Sequence, residues 1–278
     1  MRGDGCFLPA LKDGVSTPNN QMSVDLHHVE SGPADAPPLL LGGSLGTTTA
    51  MWEPQVAALS AVFRVIRFDH RGHGGSPVPA GPSAMADLAG DVVALLDRLG
   101  IERAHYAGLS LGGMVGQWLA VHHAERLDRL ALLATSPYTG PAGPWHERAA
   151  LVRARGTGAV ADTVVGRWFT PSFAEEHPRD VAALRDQIAA TDPEGYAGCC
   201  EAIADYDVRE GLPGVTAPTL VVAGAEDPST PPDRHADVIA RLIPGAGYTT
   251  LPATAHLVSW QRPDEVNTLL IRHFSAGD

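Results

Sequence analysis

His105-Tyr106-Ala107-Gly108-Leu109-Ser110-Leu111-Gly112-Gly113-Met114 runs from a short apolar segment, through a serine framed by glycines, into residues that suit a helix. The pattern G-x-S-x-G at 108–112 suits a sharp turn from strand to helix that lifts the serine hydroxyl above the end of a sheet. Glycines on either side permit the close backbone approach and the unusual dihedral angles of such a turn. The stretch therefore reads as strand 105–109, turn at Ser110, and helix 111–123.

The pattern repeats outward in both directions. Upstream, 39–41 is a buried-strand run ending in Gly42-Gly43, and 62–68 is a β-rich run ending at Asp69. Residues 84–99 read as an amphipathic helix. Leu88, Val92, Leu95 and Leu99 share one face, Asp87, Asp91 and Asp97 lie off it, and Gly100 stops it. Downstream, 127–133 is a further strand. Strands separated by crossover helices imply a mostly parallel central sheet flanked by helices, an α/β class.

The alternation then breaks. Residues 137–211 carry helical patterns, with Val181, Leu184 and Ile188 as one example, and no convincing strand. The βα pattern resumes with a strand at 219–223, a helix near 233–242, a strand near 247–251 and a helix near 263–274. The expectation is a core over 22–136 and 212–278, with a helical cap over 137–211 inserted after the sixth strand. Residues 1–21 are expected to be a loose N-terminal extension.

Composition narrows the function. The chain has 278 residues, 44% of them hydrophobic, and a formal net charge of −12. That balance, without a basic cluster, argues against nucleic-acid binding. No apolar run is long enough to span a bilayer, and no signal-peptide pattern opens the chain, so a cytoplasmic location is expected. Three cysteines, Cys6, Cys199 and Cys200, suggest neither a disulfide framework nor a metal site. No metal and no organic cofactor is expected. Oligomeric state is not legible.

Three residues arrive in the order that nucleophilic catalysis on such a sheet requires, Ser110, Asp227, His256. Asp227 follows the strand at 219–223, where ligands of open α/β sheets bind. Its neighbour Glu226 is the less suitable carboxylate. His256 follows the last strand; His70 and His73 precede Ser110 and fall out of order. Asp227 would orient the imidazole of His256, which would take the Ser110 proton and return it to the leaving group. The oxyanion is expected to meet the backbone N–H groups of Leu111 and of Leu45, the latter in Gly42-Gly43-Ser44-Leu45-Gly46. The turn at 69–76, Asp69-His70-Arg71-Gly72-His73-Gly74-Gly75-Ser76, reads as structural, with Arg71 in a buried ion pair.

These residues together resemble the α/β-hydrolase superfamily over nearly all of 24–275. A narrower resemblance is to 3-oxoadipate enol-lactonases. It is carried by Gly43-Ser44-Leu45-Gly46-Thr47-Thr48 with Met51-Trp52, by the cap stretch 191–203, by 224–232, and by Ala255-His256-Leu257. That resemblance implies the α/β-hydrolase fold and the opening of a lactone ring bearing a carboxymethyl group, through an acyl-enzyme on Ser110 and without a cofactor. The partner is then a small carboxylate-bearing lactone or ester. Trp52, Trp145 and Trp168 are candidate pocket walls. Arg148 is the leading candidate for the substrate carboxylate, with Arg153, Arg155 and Arg167 beside it. Another ester or lactone hydrolase, a C–C hydrolase, a biosynthetic cyclase, or a ligand receptor on the same fold remain open alternatives.

Overall fold

The computed structural model describes residues 23–276; the extension expected over 1–21, with Cys6, lies outside them. The leucines at 39–41 form the centre of strand β2 (Pro38–Gly42) and are fully buried, as a strand covered by helices on both faces must be. β3 (Arg64–Phe68), β4 (Ala104–Leu109), β5 (Leu127–Leu133), β6 (Thr219–Gly224) and β7 (Gly247–Leu251) follow. With β1 (His28–Ser31) they make one seven-stranded sheet in the order β1-β3-β2-β4-β5-β6-β7. Every neighbouring pair is parallel except β1 and β3.

β1 has no counterpart in the sequence reading. Its residues, His28-Val29-Glu30-Ser31, carry no apolar run, and it sits half-exposed at the sheet edge. An edge strand needs only one partner and little apolar surface, so its sequence gives no periodic signal.

Helices α1 (Glu53–Leu59), α2 (Met85–Arg98) and α3 (Leu111–His122) connect the first strands. The face of α2 departs from expectation at one position. Asp91 is buried together with Leu88, Val92 and Leu95. The cause is Arg71, whose Nε and Nη2 reach the two Asp91 carboxylate oxygens at 2.6 and 2.8 Å. A buried carboxylate is tolerated when it is paired and hydrogen-bonded. The ion pair expected of Arg71 thus exists, and it fastens the turn after β3 to α2.

Between β5 and β6 stand α4 (Gly143–Arg155), α5 (Gly158–Val165), α6 (Pro171–Glu176), α7 (Pro178–Ala190) and α8 (Pro193–Ala204). α4 packs along α8, and α5 along α7. This helical cap leaves the sheet after the fifth strand of the described residues, not the sixth. Only one strand, β1, joins the four apolar runs legible before it. α9 (Ala236–Leu242), α10 (Val258–Gln261) and α11 (Pro263–Phe274) complete the core.

No helix among the described residues is long and apolar enough to cross a membrane.

Candidate active site

β2 and β4 are neighbours, with Gly42 opposite Gly108, so the loop after one and the turn after the other emerge side by side. Ser110 caps the turn after β4 with φ 56° and ψ −114°, a conformation that a side-chain-bearing residue holds only when its surroundings enforce it. The glycines explain how. A Cβ at Gly108 would lie 2.2 Å from the Gly112 carbonyl oxygen, and one at Gly112 would lie 2.1 Å from the Gly42 oxygen. The turn is closed further by Gly112 N–H donating to Gly43 O at 2.9 Å and by Thr135 Oγ1 donating to Ser110 O at 2.7 Å.

Asp227 and His256 follow β6 and β7, which are also adjacent strands. Asp227 Oδ2 lies 2.7 Å from His256 Nδ1, and both side chains are buried. The carboxylate is otherwise saturated. Ser229 and Thr230 N–H donate to Oδ1 at 2.7 and 3.1 Å, and Thr230 Oγ1 donates to Oδ2 at 2.6 Å. Burial alone would raise the Asp227 pKa; the His256 charge and these hydrogen bonds reverse that and hold it below the usual carboxylate value. An ionised carboxylate only accepts, so His256 Nδ1 carries the ring proton and Nε2 is left with a lone pair. Thr230 is a residue the sequence reading missed. Its signal is the Asp-Pro-Ser-Thr run itself, an Asp whose carboxylate receives the N–H groups two and three residues on.

The loop after β2 shows which amide is left for an anion. Ser44 N–H donates to Met51 Sδ at 3.2 Å, Gly46 N–H to His73 Nε2 at 3.0 Å, and Thr47 N–H to Ser44 O at 3.2 Å. Thr48 N–H reaches Gln187 Oε1 at 3.3 Å, and Thr49 N–H reaches Asp69 Oδ1 at 2.6 Å. Among the described residues Leu45 N–H has no protein acceptor, and neither does Leu111 N–H in the first turn of α3. Uncommitted N–H groups at a helix start and in a neighbouring loop are what an oxyanion site consists of.

Ser110, His256, Leu45 and Thr230 line one cavity of about 260 Å³ whose far wall is the cap. Trp145, Arg148, Arg167 and Trp168 belong to that wall. Trp52 does not. It is fully buried in the core and contributes nothing to the cavity surface; a tryptophan this size serves as packing where its neighbours are apolar. Arg148 stacks on the Trp145 ring at 4.7 Å from its centroid. Neither Arg148 nor Arg167 has a carboxylate partner among the described residues. Arg153, by contrast, is committed to Glu194 at 2.7 Å and Glu201 at 2.5 Å, and Arg155 faces a separate groove at the seam between cap and core.

One further pair in the cavity wall escaped the sequence. Ser136 Oγ donates its single proton to Tyr138 O, so it accepts from His235 Nδ1 at 2.7 Å. Burial keeps His235 neutral at neutral pH by lowering its pKa. Nothing in the local sequence links residues 99 positions apart.

The sequence pattern of the α/β hydrolase fold matches residues 37–263. The chain belongs to the α/β-hydrolase family. It is 45% identical over 207 residues to 3-oxoadipate enol-lactonase 2 of Acinetobacter baylyi, which spans 74% of this chain and 78% of that protein. It is 35% identical to a protein provisionally named as a carbamate hydrolase, RutD, of Variovorax paradoxus, over 80% of this chain and 89% of that one. Among solved structures, the enol-lactonase of Burkholderia xenovorans LB400 superposes with a TM-score of 0.88 at 41% identity, over 91% of this chain and 97% of that chain.

Proposed function

We propose that this hydrolase opens the ring of 3-oxoadipate enol-lactone to give 3-oxoadipate, through an acyl-enzyme on Ser110. The observation that carries the reading is the pairing, in one cavity, of the Ser110–His256 site with the guanidinium groups of Arg148 and Arg167, neither of which has an acidic partner among the described residues. A free carboxylate on the substrate is the ligand that two arginines without a carboxylate partner suit. The likeness to enol-lactonases supports the choice of lactone.

In this mechanism Ser110 Oγ attacks the lactone carbonyl while His256 Nε2 takes its proton. Negative charge moves onto the carbonyl oxygen, where the N–H groups of Leu45 and Leu111 receive it. The ring C–O bond breaks, His256 protonates the departing enol oxygen, and the enol becomes the ketone. Water, deprotonated by His256, then releases the acyl group. Asp227, held ionised by its four donors, keeps the imidazole in the required tautomer and stabilises its protonated form.

A second reading is carbamate hydrolysis on the same triad, favoured by the 35% identity to the RutD protein. Steady-state turnover of the enol-lactone, a small carbamate and a simple aryl acetate, by the wild type and Ser110→Ala, separates the two. Rapid lactone turnover that the substitution abolishes is expected. Carbamate turnover exceeding that of the lactone would replace the first reading with the second.

A further inference from the structure

The loop that presents Leu45 is fastened from behind by two buried histidines that the triad does not use. His73 Nδ1 lies 3.0 Å from the Arg71 carbonyl oxygen. A carbonyl only accepts, so Nδ1 carries the proton and Nε2 presents a lone pair. That lone pair receives the Gly46 N–H at 3.0 Å. His70 Nε2 lies 3.0 Å from the Gly43 carbonyl oxygen, so there the ring donates. Two histidines three residues apart therefore hold the two ends of segment 43–46, one as donor and one as acceptor, with Leu45 between.

Burial favours the neutral form of both rings. It pushes His70 down to about 3 and lowers His73 as well, against the upward pull of the Asp69 and Asp192 charges. The cap closes over the same point. The Tyr196 ring stacks on His73 with centroids 6.4 Å apart, and Thr191 Oγ1, which donates to Gln187 O at 3.0 Å, lies 3.4 Å from Gly46 O. Gly46 itself has φ +81°, so this loop is held in a conformation that it would not keep by local preference with most residues.

We propose that His73 is a positioning residue for the oxyanion hole: by accepting the Gly46 N–H it fixes the peptide beyond Leu45 and leaves the Leu45 N–H directed at the reacting carbonyl. A protein that must leave one amide unpaired can do so reproducibly only if the amides around it are tied. Those of Ser44, Gly46 and Thr47 are. His73 supplies the tie adjacent to the free donor, from a turn whose sequence reads as merely structural. The inference rests on Leu45 N–H being an oxyanion donor.

The test compares His73→Leu, His73→Asn and His73→Gln in the full chain, with an activated aryl acetate as substrate. An alkyl boronic acid serves as the probe whose adduct with Ser110 places an oxygen in the hole. Gln carries an acceptor at about the reach of Nε2; Asn and Leu do not. Loss of an oxyanion donor costs on the order of 100- to 1,000-fold in kcat, and its misplacement somewhat less. Expected for His73→Leu is a fall in kcat of about 10- to 100-fold with KM little changed. Boronate affinity should fall in parallel, and inhibition by the product carboxylate should stay the same. His73→Gln should recover most of both losses and His73→Asn little. Unchanged kcat in a folded His73→Leu variant, or equal losses in the Gln and Asn variants, would overturn the proposal. If the Leu variant does not fold, the Gln–Asn comparison below their melting temperatures decides alone. Turnover and boronate binding that survive Ser110→Ala would point instead to failure of the underlying assignment of the nucleophile and its hole.

Discussion

The two walls of the cavity are built on opposite plans. On the core side, nearly every polar group around Ser110 is tied. Asp227 holds four hydrogen bonds, and from Ser44 to Thr49 the loop after β2 has each amide matched except that of Leu45. On the cap side, Arg148 rests on Trp145 and Arg167 is exposed, both without an acidic partner among the described residues. A saturated network rigidifies and holds a geometry. Charges without an acidic partner in a cavity are available to a ligand, and on the proposed function the substrate is the partner that would complete them. On that function, the core wall would fix the bond that is broken, and the cap wall would fix which molecule presents it.

Substitutions on each side break this comparison differently. Ser110→Ala should show the largest effect, a fall in kcat of at least about 10,000-fold for every substrate, charged or neutral. Steady-state assays with lactone and aryl acetate check this, and any substrate that survives the change would be hydrolysed elsewhere. Arg148→Ala should act on one substrate class only. Loss of a charge-assisted hydrogen bond, about 1.5–3 kcal/mol, would raise KM for the carboxylate-bearing lactone roughly 10- to 100-fold. Hydrolysis of a neutral aryl acetate should change little. An equal effect on both substrates would assign Arg148 to packing.

How much of this was legible follows the same division. The G-x-S-x-G turn, the order Ser110, Asp227, His256 and the glycine-rich loop after β2 announce themselves because a strained turn and a close backbone approach leave few residue choices. The structure brings Ser110, His256 and Leu45 to one cavity with Asp227 behind His256. What periodicity could not show depends on contacts across the chain. Asp91 looks like a surface residue of α2 until Arg71 is found against it. Trp52 looks like a pocket wall because it follows the loop after β2, yet the start of α1 turns it into the core. Ser136 and His235 meet from different strand ends. Among the four arginines named as cap candidates, only tertiary structure separates Arg153, paired with Glu194 and Glu201, from Arg148, which has no acidic partner among the described residues.

Two smaller effects sharpen the contrast. The tied core should be acid-sensitive through its buried histidines. His70 titrates at about 3 when folded and near 6.5 when unfolded. Between those values the unfolded chain binds a proton that the folded chain refuses, so stability falls as pH falls. The slope is about 1.4 kcal/mol per pH unit for each such histidine. Urea unfolding at pH 7 and pH 5 should show the loss, and His70→Gln should flatten it by about one histidine's share; an unchanged slope would mean that His70 is charged in the fold. Arg153→Ala should do least. Its ion pairs are partly exposed on the cap surface, and such pairs contribute about 0–1 kcal/mol. A thermal melt within a few degrees of wild type, with unaltered KM for the lactone, is expected, and a KM change like that of Arg148→Ala would erase the distinction between paired and unpaired arginines.

The division of labour between the walls is tested most directly by one ratio. It is kcat/KM for the enol-lactone with its carboxylate free, divided by kcat/KM for the same lactone with that carboxylate methylated, in wild type and in the Arg148→Ala/Arg167→Ala double variant. The ratio should be large in wild type and collapse toward one in the double variant, with turnover of the methyl ester nearly untouched. A ratio that is already near one in wild type, or that persists without both arginines, would contradict the assignment of substrate choice to the cap.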